Sequence, residues 1–427
     1  MPHDMSKIIK DLFPICRSIT GPGIQKSLKY LENIVPEFRR LKFKTGSKVF
    51  DWKIPKEWNI NDAYVKDLKN KKIIDFKKNN LHLVNFSSPI KKRVKKEELI
   101  KHIFTLKNQP LSIPYVTSYY KKNWGFCITE KQKKKLKDKF YDVFIDSKLK
   151  KGNLHLSHAI FKGKSKKEIF FSSYLCHPSM ANNELSGPAV LIKLAHYISK
   201  RKKLKFSYRF VLLPETIGSI AYLSRFKNIL KKKMICGYNI SCVGDEGHYS
   251  HIKSKYGNSL ADISIEQALI NKKKTKQYSF LNRGSDERQY CAPGIDLPVC
   301  GFSRSKYGEY PEYHTHKDNL NFISQRGLNN SYKVLKFIVD NFEKNPSWNK
   351  FPKTKVLCEP NLGKRNLYPS ISQKKNYNNL NLRMDLITYS DGKKNLLQIS
   401  KIINQPIKKI NKEIKILLKN KIIEIIK

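Results

Sequence analysis

Apolar positions in the first 40 residues recur every three or four places, which is the spacing of one face of an α-helix. The turn sequence Gly21-Pro22-Gly23 divides this stretch into two predicted helices. Between residues 41 and 130 the pattern changes to short alternating or β-branched runs separated by turn residues, such as Lys72-Ile73-Ile74-Asp75-Phe76. This pattern predicts a small, mostly β module, followed by a basic amphipathic helix over residues 128–140.

From residue 141 onward, runs with the lengths of strands alternate with amphipathic runs with the lengths of helices. Glu168–Leu175 and Tyr208–Leu213 are nearly continuous apolar segments, as expected of strands buried on both faces. Strands that alternate with helices predict a mostly parallel sheet in a three-layer α/β domain. The further predicted elements are the strands Tyr141–Ile145, Leu154–Phe161, Ile235–Val243 and Leu297–Phe302 and the helices Ser186–Ser199, Gly218–Lys227 and Asn329–Phe342.

The C-terminal part of the chain has a different pattern. Residues 346–365 are rich in Pro, Asn and Lys and have the composition of a linker. Beyond them the pattern predicts three short helices and a final strand, at Leu382–Ile387, Leu396–Ile403, Pro406–Asn420 and Ile422–Ile426. That order is the outline of a winged helix. The predicted domains are an α/β domain at 1–40 and 131–345, an inserted β-rich module at 41–130, a linker at 346–365 and a winged helix at 366–427.

The charge of the 427-residue chain has two interpretations. Lys and Arg number 85 against 35 for Asp and Glu, which gives a formal net charge of +50. The excess could form a basic face that attracts the phosphates of a nucleic acid, or it could reflect a coding bias that leaves lysine spread over the whole surface. The lysine runs are scattered along the chain rather than gathered into one element, which favours the second interpretation.

Cysteine usage and hydropathy predict a cytoplasmic protein. The chain has eight cysteines, and no pair has the spacing of a zinc ribbon or a redox C-x-x-C, so free thiols in a reducing compartment are expected. The N-terminus has no apolar signal region. No stretch approaches the ~20 uncharged apolar residues of a membrane span, so no span is expected.

Polar residues of the kinds found in metal sites stand at strand ends of the predicted α/β domain. His177, Glu215 and Asp245 each come directly after a predicted strand or its last residues, and His314 lies in a His-Thr-His segment before the last helix of that domain. One histidine of that segment is expected to point into the site. Because ligands usually bind at the carboxyl ends of strands in an α/β sheet, we expect these residues to meet there. Imidazole and carboxylate groups that meet in this way could hold a metal ion.

Each of these residues also has an ordinary alternative. A lone His such as His177 is more often a satisfied loop residue, an Asp such as Asp245 is common in turns, and a Glu at a helix N-terminus stabilises the helix dipole. Glu215 could also act as a ligand or as a general base. Arg288 and Tyr290 could bind a substrate carboxylate or ring, and a structural role for Arg288 is equally open. Four such residues at matching strand ends favour the metal site.

Taken together, these residues resemble the co-catalytic zinc aminopeptidases, which include bacterial leucyl aminopeptidases and resemble glutaminyl cyclase. That group arranges a His, a bridging Asp in an A-N-D-x-x-S-G loop, a Glu pair before G-S, an Asp and a late H-T-x-x-D histidine around two zinc ions. The resemblance implies that the matching metal ligands are His177, Asn183, Glu215, Asp245 and His314.

A closer resemblance covers nearly the whole chain. It is to a bacterial family of aminopeptidase-like proteins of unassigned substrate, often associated with surface-polysaccharide biosynthesis loci. The phrases that carry it include Leu12-Phe13-Pro14-Ile15-Cys16-Arg17-Ser18-Ile19-Thr20-Gly21, Pro55-Lys56-Glu57-Trp58 and Trp124-Gly125-Phe126-Cys127. The resemblance implies a zinc-aminopeptidase-like α/β fold with a nested β module and a C-terminal winged helix.

Two departures bear on the zinc site that the resemblance implies. Asn183 stands where the group has its bridging Asp, and a neutral carboxamide brings no charge with which to link two ions. Pro214-Glu215 stands where the group has Glu-Glu, so one carboxylate would have to serve as both ligand and base. We therefore expect Zn²⁺ as the cofactor, as one ion or as two with the second bound more weakly.

Two functions are open at this point. The first is a zinc-dependent aminopeptidase-like hydrolase that cleaves a peptide or amide bond, with Glu215 as base and with activity weakened by Asn183. The second is a catalytically degenerate binding protein of the same fold, whose winged helix contacts protein or nucleic acid. A homo-oligomer is compatible with both. The predicted recognition helix carries Lys408, Lys409, Lys412 and Lys415 but no Arg, so we expect no sequence-specific nucleic-acid binding.

Overall fold

The structure is a computed structural model, and it describes residues 4–344, 350–356, 358, 360–368 and 377–426. The helices are α1 (Met5–Leu12), α2 (Pro22–Ile34), α3 (Lys96–Lys101), α4 (Glu130–Lys133), α5 (Ser186–Ser199), α6 (Ile217–Lys233), α7 (Leu260–Leu269), α8 (Glu287–Tyr290), α9 (Gln325–Lys344), α10 (Tyr377–Thr388), α11 (Leu396–Ile402) and α12 (Ile407–Lys419). The strands are β1 (Arg39–Lys44), β2 (Lys48–Val49), β3 (Trp52–Lys53), β4 (Glu57–Lys66), β5 (Lys72–Asp75), β6 (Ile90–Lys95), β7 (Ile103–Phe104), β8 (Phe126–Cys127), β9 (Phe140–Lys150), β10 (Asn153–Phe161), β11 (Glu168–Tyr174), β12 (Ser207–Leu213), β13 (Met234–Ile240), β14 (Tyr249–Ile252), β15 (Thr275–Tyr278), β16 (Val299–Ser303), β17 (Phe351–Thr354) and β18 (Ile423–Ile426).

An eight-stranded mixed sheet is the frame of the α/β domain, with the strand order β1-β10-β12-β11-β13-β16-β14-β15. The central strands β12, β11, β13 and β16 run parallel. Towards the edges, β1 and β10 pair antiparallel, as do β10 and β12 and also β14 and β16. The predicted three-layer α/β arrangement is confirmed, and the parallel part of the sheet is its centre.

Continuous apolar strands explain why the sheet is covered on both faces. Every residue of β11 and of β12 is buried. Successive side chains of a strand point to opposite faces, so Phe171 stacks on Phe210 on one face while Phe170 packs against Tyr290 on the other. Helices α1, α5 and α9 contribute to the apolar core on the first face, and α6 and α8 contribute to the core on the second. The loops that follow these strands are thereby held in fixed positions.

The inserted module is a four-stranded antiparallel sheet with the order β5-β4-β9-β6. The predicted limits of 41–130 are wrong at both ends, because β1 pairs with β10 in the large sheet and β9 pairs with β4 and β6 in the small one. The predicted strand Tyr141–Ile145 is therefore part of the module. The helix predicted over 128–140 is reduced to α4, since Leu136 is the one buried residue between positions 131 and 140.

The C-terminal unit has a core of its own, formed by α10, α11, α12 and the β17-β18 pair. Because β17 pairs with β18, residues 351–354 of the predicted linker belong to the winged helix, and residues 369–376 lie outside the described residues. The unit is seated on α7, whose Ile263 joins its core. The apolar pattern of the sequence does not predict α7, because the buried face of this helix includes Asp262, Ser264 and Gln267. None of the helices in the described part of the chain is long and apolar enough to cross a membrane.

A buried ion pair fixes β11 against β12. Arg209 Nε lies 2.6 Å from Glu168 Oε2, and each side chain is 3% exposed. We expect Arg209→Met to lower the free energy of unfolding by about 3 kcal/mol, because a buried carboxylate loses two hydrogen bonds and keeps the more distant Lys233 Nζ at 3.8 Å. Urea unfolding measures this loss. Arg93→Met is the control, since its 2.7 Å pair with Asp142 is 61% and 41% exposed and solvent screens it. Equal losses in the two variants would contradict the expectation.

The start of α7 carries a buried carboxylate whose protonation should be visible in the stability of the protein. Asp262 accepts hydrogen bonds from Ser254 and Ser259 and lies 3.0 Å from His251 Nε2. Burial opposes the charge, but His251 and Ser254 lower the pKa of Asp262 from 3.8 to about 2.

The lowered pKa of Asp262 makes the stability of the fold depend on pH. A lowered pKa stabilises the fold at pH values above the unfolded pKa, and this contribution is lost as the pH falls through 4 towards 2. We expect Asp262→Asn to be less stable than the native chain near pH 6, with the difference smaller by ~1 kcal/mol at pH 3. Urea titrations of both proteins at pH 3–6 measure this change, and a difference independent of pH would contradict it.

Candidate metal centre

Loops at the carboxyl ends of the central strands surround a cavity of about 360 Å³. His177 follows β11, Glu215 follows β12, and His314 comes from the loop before α9. All three line the cavity. The other lining residues are Ile19, Trp52, Tyr115, Thr117, Tyr119, Tyr120, Cys176, Thr216 and Ile217. Three of the five predicted ligands therefore line one cavity.

The His177 ring is oriented by a buried carboxylate. Its Nδ1 lies 2.7 Å from Glu184 Oε2, and its Nε2 lies 3.8 Å from Glu215 Oε2. Glu184 also accepts a hydrogen bond from Cys176 N, and Arg17 Nε lies 4.0 Å from it. Burial lowers the pKa of His177, but the Cys176 thiol and the Glu184 carboxylate outweigh burial and raise that pKa well above its ordinary value. A cation at Nε2 therefore competes with a proton, while Glu184 keeps the ring in place.

Glu215 reaches the cavity from a tight turn after β12. Thr216 has a φ of 64°, the left-handed region that residues other than glycine rarely adopt. Asp286 holds this turn, because its Oδ1 accepts hydrogen bonds from Thr216 N and Ser219 Oγ, each at 2.8 Å. Burial raises the pKa of Glu215. Burial and then the charge of Glu215 raise the pKa of Asp286 to about 8. Perturbed carboxyl groups of this kind are typical of functional sites.

His314 also has a left-handed backbone, with a φ of 55°, and its carbonyl accepts a hydrogen bond from Tyr115 N at 2.8 Å. Its ring stacks on Tyr313 with centroids 3.9 Å apart, and its centroid lies 5.2 Å from that of His177. Its Nε2 is buried and has no hydrogen-bond partner among the described residues. Burial lowers the pKa of His314 to about 3. The ring is therefore neutral near pH 7 and keeps a lone pair for a cation.

The other two predicted ligands are held by hydrogen bonds outside this cavity. Asp245 Oδ2 accepts from Asn182 Nδ2 at 2.9 Å, and Asp245 Oδ1 accepts from Ser305 Oγ at 2.8 Å. Asn183 Oδ1 accepts from Tyr174 OH at 2.7 Å. Neither Asp245 nor Asn183 is among the residues that line the cavity. Asn182, in the loop after β11, thus holds Asp245 in the loop after β13. Because Asp245 and Asn183 lie outside the cavity, the five predicted ligands do not converge.

Asp318 fixes the loop that carries Glu184. It is fully buried and accepts hydrogen bonds from three consecutive backbone N–H groups at positions 181–183. Burial raises the pKa of Asp318 to about 7. Asp318, Glu184 and Arg17 are absent from the predicted site. The sequence signals for two of them are the late H-T-x-x-D spacing for Asp318 and the first family phrase for Arg17.

Arg288 and Tyr290, the predicted substrate-binding residues, lie behind the cavity and do not line it. Arg288 Nη2 donates a hydrogen bond to Thr216 Oγ1 at 2.6 Å. Tyr290 is fully buried, and its OH lies 2.7 Å from Ser172 Oγ. Both side chains therefore support the turn and the core beneath the cavity.

The sequence profile of a family described as a domain of unknown function, DUF4910, matches residues 6–345. The chain belongs to the DUF4910 family. A winged helix-turn-helix profile matches residues 350–425 of this DUF4910 chain, which confirms the predicted C-terminal winged helix.

Named relatives agree with the resemblance found in the sequence. The DUF4910 chain is 42% identical over 401 residues to a Clostridium acetobutylicum protein named as a polysaccharide biosynthesis protein with an aminopeptidase-like domain, and the match covers 93% of this chain and 90% of that protein. A crystal structure named as a peptidase from Clostridium acetobutylicum has a TM-score of 0.87 at 38% identity, covering 100% of this chain and 96% of that one. The predicted aminopeptidase-like family is confirmed.

The zinc aminopeptidases share the fold at low sequence identity. The Bacillus subtilis zinc aminopeptidase BSAP has a TM-score of 0.58 at 13% identity, and the match covers 81% of the DUF4910 chain and 96% of that chain. The predicted aminopeptidase-like α/β fold of the DUF4910 chain is therefore confirmed.

Proposed function

We propose that this chain is a zinc-dependent hydrolase of amide bonds that holds one zinc ion between His177, Glu215 and His314. The observation that carries the proposal is the buried, unpartnered Nε2 of His314, whose side chain lines the same cavity as the other two. A buried polar nitrogen without a partner costs ~1–3 kcal/mol, and a shared cation offsets that cost. Two imidazoles and a carboxylate are a donor set of catalytic zinc, with a fourth position left for water or substrate.

The roles of the protein groups follow from their positions. When bound, zinc supplies a Lewis acid that polarises the amide carbonyl. Glu184 holds the His177 ring through the 2.7 Å contact at Nδ1. Glu215 would hold the metal through one oxygen, and its other oxygen accepts a proton from water and passes it to the leaving nitrogen. The bond between the carbonyl carbon and nitrogen is broken by water, and a carboxylic acid and an amine are released.

The hydrogen bonds of Asp245 and Asn183 support one ion rather than two. The two oxygens of Asp245 accept from Asn182 and Ser305, and Asn183 is a neutral amide that accepts from Tyr174. A second ion would have to displace these donors. Because Glu215 then serves as both ligand and base, we expect turnover to be slower than in an enzyme that divides the two tasks between two carboxylates.

We propose that the winged helix has an interdomain role. A second cavity, of about 460 Å³, lies between α7, α9 and α12, and Lys408 and Lys412 of α12 line it together with Phe337 of α9. The first turns of the recognition helix therefore lie next to the α/β domain, while Lys408, Lys409, Lys412 and Lys415 are exposed. This proximity supports an interdomain role, and a recognition helix whose basic residues are all lysines supports at most non-specific DNA affinity. As substrate we propose a peptide or a carbohydrate-linked amide, which fits the name of the Clostridium acetobutylicum relative. The eight free cysteines fit a cytoplasmic setting.

The proposal is tested by amide hydrolysis with the full chain. Aminoacyl 4-nitroanilides and 4-nitroacetanilide are offered to the protein as purified, after treatment with a chelator and after zinc is returned. We expect cleavage to be lost with the chelator and restored by one equivalent of zinc. Cleavage that is indifferent to the metal, or no cleavage of any amide by the zinc-loaded protein, would favour the degenerate binding protein instead.

A further inference from the structure

The mouth of the metal-centre cavity is aromatic, and the inserted module supplies it. Trp52 comes from the β2-β3 hairpin and Tyr120 from the loop between β7 and β8, and both line the cavity. Their ring centroids are 5.4 Å apart at an interplanar angle of 73°. The side chains are 38% and 50% exposed, so their faces are open to a ligand. Large aromatic faces left in contact with water at a cavity mouth are more typical of a binding site than of a core.

Two further tyrosines lie between this mouth and the metal centre. Tyr115 and Tyr119 line the cavity, and their hydroxyl oxygens are 3.1 Å apart. The Tyr115 ring centroid lies 4.9 Å from that of His177 and 5.3 Å from that of His314. The wall thus passes from exposed rings at the mouth to the Tyr115 ring next to the predicted metal ligands, and it includes a pair of hydroxyl groups. Tyrosine offers both an apolar face and a hydrogen-bonding tip, which suits a ligand that has both characters.

The charges that line the cavity disfavour peptides with a free α-ammonium group. Glu215 is the one carboxylate among the lining residues. A peptide with a free α-ammonium group next to its scissile bond needs a carboxylate to neutralise it, since burying an unpaired charge is expensive. Glu215 is already committed to the metal and to the proton of water. The cavity is therefore better matched to an amide whose two sides are both neutral.

We propose that the cavity binds the N-acyl group of an amino sugar, with the pyranose ring against Trp52 and Tyr120 and the amide at the metal centre. The C–H faces of a pyranose pack on aromatic rings, and its hydroxyls take hydrogen bonds from Tyr115 and Tyr119. A cavity of about 360 Å³ lies within the ~300–1,000 Å³ of small-ligand sites. The position of the amide rests on the proposed function, but the sugar subsite does not.

The subsite is tested by equilibrium binding, which needs no turnover. N,N′-diacetylchitobiose and the dipeptide Leu-Gly are titrated into the full chain, with and without zinc, and followed by calorimetry and tryptophan fluorescence. We expect the saccharide to bind and to change the fluorescence of Trp52. Trp52→Ala and Tyr120→Ala should each weaken saccharide binding by roughly tenfold.

Phe50→Ala is the matched control for these variants. Phe50 lies in the turn of the same hairpin, is 45% exposed and does not line the cavity. Its replacement should leave saccharide binding unchanged. Circular dichroism of each variant establishes that the hairpin change has not unfolded the protein.

The outcomes separate this proposal from the proposed function. Saccharide binding that depends on Trp52 supports the subsite even if no amide is ever cleaved. Binding of Leu-Gly but not of the saccharide, or saccharide binding that falls equally in Phe50→Ala, overturns the subsite while leaving the hydrolase intact. Failure of both ligands to bind in the presence and absence of zinc also overturns it.

Discussion

Replacing His314 by alanine is expected to remove the bound zinc and to abolish amide hydrolysis. The variant loses one of three proposed ligands, the one whose Nε2 is buried without a partner among the described residues. We expect the affinity for zinc to fall by at least ~100-fold, which is more than the loss caused by removing a group that only orients a ligand. Competition with a chelator of known affinity measures the dissociation constant, and atomic absorption after gel filtration measures the zinc retained.

His316→Ala is the matched control for that variant. His316 lies two residues away in the same loop, but its Nδ1 accepts a hydrogen bond from Ile113 N at 3.0 Å and it does not line the cavity. This variant should retain its zinc and its activity. Zinc retained in His314→Ala would show that His314 is not a ligand, and equal loss in both variants would contradict the predicted difference between them.

Changing Glu215 to glutamine is expected to lower the rate of hydrolysis by about 10²- to 10⁴-fold, the usual range for loss of a positioned proton acceptor. Glutamine keeps the shape of the side chain and one oxygen, but it cannot take a proton from water. We therefore expect the turnover number to fall more than the zinc content does. Steady-state kinetics and metal analysis on the same preparation measure both quantities.

Glu246→Gln controls for the loss of a negative charge near the strand ends. Glu246 stands in the loop after β13 and pairs with Arg326 at 3.1 Å, and its side chain is 44% exposed. Its replacement should leave kinetics and zinc content unchanged. If Glu215→Gln cleaves amides as fast as the native chain, Glu215 is not the base and the proposed mechanism fails.

Much of the fold was predictable because burial leaves a direct trace in the sequence. Strand β11 and strand β12 are unbroken apolar runs, and their positions at the centre of the sheet follow from that. Strand β9 was assigned to the wrong sheet, since an alternating pattern shows that one face is buried but not which sheet provides the cover. Helix α7 was missed because Asp262 is buried through hydrogen bonds that form only in the folded chain.

Some residues of the candidate site could be predicted from the sequence, and others could not. His177 and Glu215 could be predicted, because strand order and strand ends place them at one edge of the sheet, and His314 could be predicted from the H-T-x-x-D motif. The capture of Asp245 by Asn182 could not, since it depends on how two loops meet. Nor could the approach of Arg17 to Glu184, which lies 167 positions later in the chain. Motif spacing locates candidate ligands but does not show which hydrogen bonds already occupy them.

The zinc content of the purified chain tests the central claim most directly. The full chain is loaded with excess zinc, passed through a desalting column and analysed for metal per protein chain, alongside the double variant His177→Ala, His314→Ala. The account predicts close to one zinc ion per native chain and none in the double variant. Two ions per native chain would mean that Asp245 and Asn183 are ligands after all, and no zinc in the native chain would contradict the metal centre itself.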